Sequence, residues 1–171
     1  MTATNPLDKQ AEREFVTSRV FNAPRELVFD AWTNPEHLLN WSVARCTNDP
    51  RPGGMLHYAM STPDGNLMWG KWIYREIGRP ERLEVIQSFS DEAGGTAPHP
   101  LAPDWPREVL SVAAFEEDGG RTTLTIRWSP HNATEAERAT FDAAYAQMQQ
   151  GWAGMFDQFA RYLAKQSGSM V

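Results

Sequence analysis

The sequence predicts an α+β fold in which a curved antiparallel sheet grips one long C-terminal helix, with two short helices after the first strand. Three observations carry this. Apolar residues alternate with period two in successive stretches between residues 43 and 129, broken by tight turn signals. From Phe141 to Leu163 the period changes to that of a helix. Two short helix signals stand directly after the first strand-like stretch.

Residues 14–22 (EFVTSRVFN) are rich in β-branched and aromatic residues and read as a strand. Pro24 suits the first turn of a helix over PRELVFDAW, because its missing N–H would be unpaired there. Leu27, Val28, Ala31 and Trp32 share one face of it. Asn34-Pro35 punctuates, and PEHLLNW forms a second short helix. Strands are expected over Met55–Ser61, Met68–Ile77, Leu83–Phe89, Arg107–Phe115 and Arg121–Ser129. Pro63-Asp64-Gly65-Asn66 and Glu117-Asp118-Gly119-Gly120 are turns joining them into a meander. Residues 91–106 hold four Pro and two Gly and cannot be regular structure.

Thr134-Glu135-Ala136-Glu137 has capping-box spacing and starts the last helix. Phe141, Tyr145, Met148, Trp152, Met155, Phe156, Phe159, Tyr162 and Leu163 then recur on one stripe, read as a single continuous helix. Such a stripe must bury itself, and the inner face of the meander is the large partner available. One domain is expected over residues 14–165, with tails at 1–13 and 166–171.

Composition narrows the function. The chain has 171 residues, 41% hydrophobic, with formal charge −6. The negative balance argues against a nucleic-acid or anionic-membrane surface. No apolar run approaches a membrane span, and residues 1–14 are polar, so a soluble cytoplasmic protein is expected. The single Cys excludes an intrachain disulfide and any multi-cysteine metal site. The four His have no metal-ligand spacing, so neither metal nor cofactor is expected. His37, His57 and His131 read as surface or capping residues, and Cys46 as a small strand residue without a base. No set of residues compels catalysis.

The inward positions suggest a pocket wall for an apolar or aromatic ligand, or else a filled core. On the sheet these are Leu56, Tyr58, Met60, Met68, Trp72, Tyr74, Val85, Phe89, Phe115, Leu124, Ile126 and Trp128, and on the helix Met148, Trp152, Met155, Phe156 and Phe159. Trp41 on the second short helix completes the candidate lining. Gln87, Ser111 and Tyr58 put polar atoms on this face, where they need partners in each other, water or a ligand. His99, Leu101 and Trp105 lie in the Pro-rich loop and are the candidate lid. Gly151 and Gly154 flank Trp152 inside the helix, which suggests close approach of a strand or room left for a ligand, with close approach preferred. Trp69 is predicted to face outward. It and Trp105 are where a lid, a partner surface or a homodimer contact would first be sought.

Several strings resemble a known superfamily. APRELVFDAWTNPEHLLNW at 23–41 is similar to the opening helices of the START-like, or SRPBCC, helix-grip proteins. RPGG at 51–54, PDG at 63–65, YREIGRPERL at 74–83, FEEDGGRTTLTI at 115–126 and QGWAGMFDQFARYLA at 150–164 resemble the subgroup named after the activator of the heat-shock protein 90 ATPase. The resemblance runs from about Phe15 to Lys165. It implies a helix-grip fold with a cavity between sheet and long helix. It does not imply a reaction. Together with the aromatic inner faces it points to binding of a small hydrophobic or aromatic molecule, with a polyketide cyclase- or dehydratase-like enzyme and a chaperone-associated interaction module as the alternatives.

Overall fold

The period-two stretches all become strands of one sheet. The computed structural model describes residues 14–168. Its strands are β1 (Phe15–Phe21), β2 (Arg45–Asn48), β3 (Met55–Ser61), β4 (Leu67–Gly78), β5 (Arg82–Ser90), β6 (Val109–Asp118) and β7 (Arg121–Pro130). Their order across the sheet is β1-β7-β6-β5-β4-β3-β2, and every pairing is antiparallel. Consecutive strands therefore pair as hairpins from β2 to β7, while β1 crosses back to pair with β7. The β6–β7 turn leaves only Gly119 and Gly120 between the paired Asp118 and Arg121. Both have positive φ, 59° and 80°, which a two-residue hairpin turn of matching twist requires.

The helices are α1 (Arg25–Thr33), α2 (Pro35–Trp41), α3 (Glu135–Ala143) and α4 (Tyr145–Gly168). Pro24 stands just before α1 with extended ψ of 152°, so it precedes the first turn rather than occupying it. The capping box forms as expected: Thr134 Oγ1 accepts from the Glu137 N–H at 3.1 Å, and Glu137 Oε1 accepts from the Thr134 N–H at 2.9 Å. The expected single C-terminal helix is two helices, broken at Ala144. The reason lies in burial. Phe141 is 1% exposed and packs on Trp105 at 5.6 Å, whereas Tyr145 is 43% exposed. A straight helix would hold residues four apart on one face, so the break rotates α4 away from the register of α3.

The core lies between the inner face of the sheet, α1, α2 and α4. Phe159 of α4 is 0% exposed and sits 4.6 Å from Trp41, 5.2 Å from Trp32 and 5.0 Å from Phe21. Phe29, outside the expected face of α1, is also buried and meets Phe115 edge-on at 5.1 Å. Helix α4 continues past Lys165 to Gly168, beyond the expected end of the domain. Residues 1–13 and 169–171, read as tails, lie outside the described residues.

Candidate functional site

The alternation that puts apolar side chains on the inner face does not fill the space it encloses. A cavity of about 310 Å³ lies between β3–β5, β7, α2 and α4. A second chamber of about 240 Å³ adjoins it under the Pro-rich loop. Tyr58, Gln87, Phe89, Trp128 and Met148 border both, so the two share a partition.

Of the candidate lining residues, Trp41, Met60, Trp72, Trp152 and Met155 border the first chamber along with the five of the partition. Tyr74, Ser111 and Phe156 do not border either chamber. Each is spent on packing. Tyr74 is buried with its hydroxyl donating to Asn48 Oδ1 at 2.7 Å. Ser111 Oγ accepts from Trp128 Nε1 at 3.1 Å. Phe156 packs against Phe21 and Trp152 at 5.6 and 5.4 Å. In the loop, His99 and Trp105 border the second chamber, while Leu101 is 90% exposed and does not. Trp32, Leu38 and Val43 join the wall from α1, α2 and the turn after α2, and sequence reasoning left them out. The signal was present, since the short helices plug one end of the sheet.

The walls are held rigidly. Trp32 and Trp152 stack at 6.0 Å with an 18° interplanar angle, and Trp128 meets Trp152 edge-on at 5.3 Å. Trp41 Nε1 donates to the Ala31 carbonyl at 2.9 Å, which fixes its ring. Aromatic pairs in such geometry stabilise beyond the area they bury. The expected close approach of a strand to Gly151 and Gly154 is not found. A Cβ built on either meets nothing within 4 Å, and Gly151 borders the cavity. The space beside the helix is open, so Gly151 leaves room at the cavity edge.

Trp69, expected to face outward, lies opposite Ala59 with its ring stacked on His57 at 4.8 Å, yet it also borders the first chamber. His57 is itself engaged, with Nε2 3.1 Å from both Ser90 Oγ and the Asp91 carbonyl. Inner and outer faces are thus both aromatic near the end of β4.

Polar chemistry inside is sparse. No Asp, Glu, Lys or Arg borders either chamber among the described residues. Tyr58 is enclosed by protein, and the surface it keeps faces the cavity. Burial pushes its hydroxyl up to about 12, against which a hydrogen bond from Gln87 acts weakly. Tyr58 is therefore a neutral hydroxyl at physiological pH. His99 Nδ1 accepts from the N–H groups of Leu101 at 2.9 Å and Ala102 at 3.1 Å. An accepting Nδ1 puts the proton on Nε2. Desolvation holds this imidazole below the ordinary histidine range, so it too is neutral. Burial pushes the Cys46 thiol up to about 11, which removes it as a thiolate nucleophile. No group of three or more His, Cys, Asp or Glu side chains that could hold a metal ion occurs among the described residues.

His37, read from sequence as a surface or capping residue, is a structural centre instead. Its Nε2 lies 3.1 Å from Asp30 Oδ2 and its Nδ1 2.6 Å from the Tyr162 hydroxyl. A carboxylate only accepts, so Nε2 donates to Asp30, while Nδ1 and the Tyr162 hydroxyl share the second hydrogen bond. This chain ties α1, α2 and α4 together, reinforced by Gln158 Nε2 donating to the Trp41 carbonyl. It positions α2 as the cavity's end wall and does not itself border either chamber. Tyr162→Phe removes one hydrogen bond from it. The expected loss is ~0.5–1.5 kcal/mol, read as a lower denaturation midpoint at unchanged m.

A seven-stranded antiparallel sheet folded against a long C-terminal helix, with two short helices after its first strand, defines the chain as a helix-grip protein. Its residues 22–164 match the model of the family described as Activator of Hsp90 ATPase homolog 1-like protein, and the chain belongs to that family. Solved structures agree on the fold. A protein from Arthrobacter aurescens is 24% identical, with 96% of this chain and 91% of that one covered and a TM-score of 0.71. A protein from Nitrosomonas europaea is 21% identical, with 92% and 98% covered and a TM-score of 0.71. A protein of the dynemicin biosynthetic locus is 19% identical over 89% of this chain and 47% of that one, with a TM-score of 0.64. No curated protein matches the sequence. No helix among the described residues is long and apolar enough to cross a membrane.

Proposed function

We propose that the protein is a cytoplasmic binding protein for a small hydrophobic or aromatic molecule held between the sheet and α4. The observation that carries this reading is the unfilled 310 Å³ chamber walled by rigid tryptophans. Native interiors pack to crystal density, so apolar space of this size is costly to leave empty. Its volume, apolar lining and few polar groups are those of a small-molecule site.

Naphthalene-sized aromatic probes are expected to raise Tm and change tryptophan emission, because Trp32, Trp41, Trp72, Trp128 and Trp152 all border the first chamber. Gly151→Phe places a ring into the open space at the cavity edge and should abolish both responses while far-UV circular dichroism stays the same. A full panel of probes that moves neither Tm nor emission in the unaltered protein would sink the reading.

The enzymatic alternative gains one specific observation. His99 borders the second chamber with a neutral imidazole, the kind of group that carries general acid–base chemistry. That reading predicts turnover of a carbonyl substrate that His99→Ala eliminates. Binding without turnover across such substrates would leave the binding protein alone.

A further inference from the structure

The polar groups that border the cavity have an unbalanced chemistry. The Trp72 indole N–H makes no hydrogen bond to a described residue, and Trp72 borders the first chamber. Trp72 stands directly opposite Gln87 on β5, and Tyr58 stands opposite Gly70, two residues from Trp72 on the same face of β4. Tyr58, Trp72 and Gln87 thus share one patch of the inner face of the sheet, with Tyr58 and Gln87 bordering both chambers and Trp72 the first. Beyond it, the His99 ring offers Nε2–H, since its Nδ1 is occupied by two backbone N–H groups. The Trp72 and His99 N–H groups can only donate, and no charged side chain accompanies them among the described residues. Away from this patch the first chamber is walled by Trp32, Trp41, Met60, Met68, Trp152 and Met155.

Resting on the ligand-binding reading above, we infer that the ligand is a neutral aromatic carbonyl compound, its flat body among the tryptophans and its oxygen on the Tyr58–Trp72 donors. A hydrocarbon would leave these donors unpaired in a dry site, which is unfavourable. A carboxylate would satisfy them but would lose its hydration with no cation to compensate. A cation would find no carboxylate to pair with, since no Asp or Glu borders either chamber among the described residues. A neutral carbonyl oxygen, which accepts two hydrogen bonds and loses little hydration, fits all three conditions.

The test compares three probes of nearly equal shape by equilibrium dialysis at neutral pH: 2-acetylnaphthalene, its hydrocarbon isostere 2-isopropenylnaphthalene, and 2-naphthoate. The ketone is expected to bind about fivefold to tenfold tighter than the hydrocarbon, the gain of about one net hydrogen bond. The carboxylate is expected to bind weakest. Tyr58→Phe and Trp72→Phe, which keep aromatic rings in place, should each shrink the ketone's advantage over the hydrocarbon. Retention of none of the three overturns the ligand-binding reading and this inference with it. Naphthoate or the hydrocarbon binding as tightly as the ketone overturns this inference alone, while the cavity stands as a binding site. A ketone advantage that survives both substitutions also overturns it, since the donors would then lie elsewhere.

Discussion

Phe159→Ala is expected to lower the unfolding free energy by ~3–5 kcal/mol. The side chain is wholly enclosed, and its ring touches Trp32 of α1, Trp41 of α2 and Phe21 of β1 from its seat on α4. Four elements meet at that ring. Truncation removes its transfer free energy and leaves a cavity that the stiff indoles around it cannot collapse into. For a domain whose total stability is of order 5–15 kcal/mol, that is a large share. Urea denaturation followed by tryptophan emission would show it as a lower midpoint at constant slope. A loss under about 1 kcal/mol would mean that the site relaxes around the gap, contrary to the rigidity described for it.

Gly70→Ala should cost ~1–3 kcal/mol by overpacking and should weaken aromatic-probe binding as well. Gly70 pairs with Tyr58 across β3–β4 and with Phe89 across β4–β5. The Tyr58 ring lies over the glycine, so an added Cβ would sit 2.5 Å from both its Cζ and its Oη. No ordinary contact is that short, and the ring must leave. Leaving carries the hydroxyl away from Gln87 and pushes the phenol into the space where a ligand would lie. The glycine is therefore what lets a tyrosine lie flat on the cavity floor. The double variant Gly70→Ala with Tyr58→Ala should recover the overpacking cost, which a double-mutant cycle would read as strong coupling. Additive effects would show that the two do not compete for space.

Most of the architecture was legible in the sequence because each element carried its own local signal. Leu56, Tyr58 and Met60 alternate, Thr134 and Glu137 stand at capping-box spacing, and Gly119-Gly120 has only one economical turn. What escaped lacks such a signal. Of strand β2 only a strand reading for Cys46 was legible; its bounds, RCTN, carry no apolar rhythm and are set by the edge that β3 offers. Ala144 is the best of helix formers, so nothing local announces the break there; the competing burial of Phe141 does. The candidate site was legible as a face rather than as a volume. Alternation places Tyr58 and Tyr74 on the same side, but only packing reveals that one borders open space and the other fills it. Asp30, His37 and Tyr162 meet across three helices, a conjunction that no spacing rule anticipates. Gly151 and Gly154 looked like a strand's close approach because helix glycines usually are; the emptiness beside them is a property of the fold as a whole.

The crossing of β1 to the far edge of the sheet has a consequence for how the chain is made. Phe15 pairs with Trp128 and Phe21 with Thr122, so β1, made before the other described strands, finds its partner in β7, made after them. At ~5–20 residues per second the intervening polypeptide takes several seconds to appear. During that interval the strands from β2 onward can zip locally, hairpin by hairpin, while β1 waits with Phe15 and Phe21, both buried in the finished fold, uncovered. The ribosome-bound chain thus holds a sticky, unpaired β-segment until β7 emerges. Phe15 and Phe21 gain their full cover only after α4, which packs Tyr145 on the first and Phe156 and Phe159 on the second, has also been released.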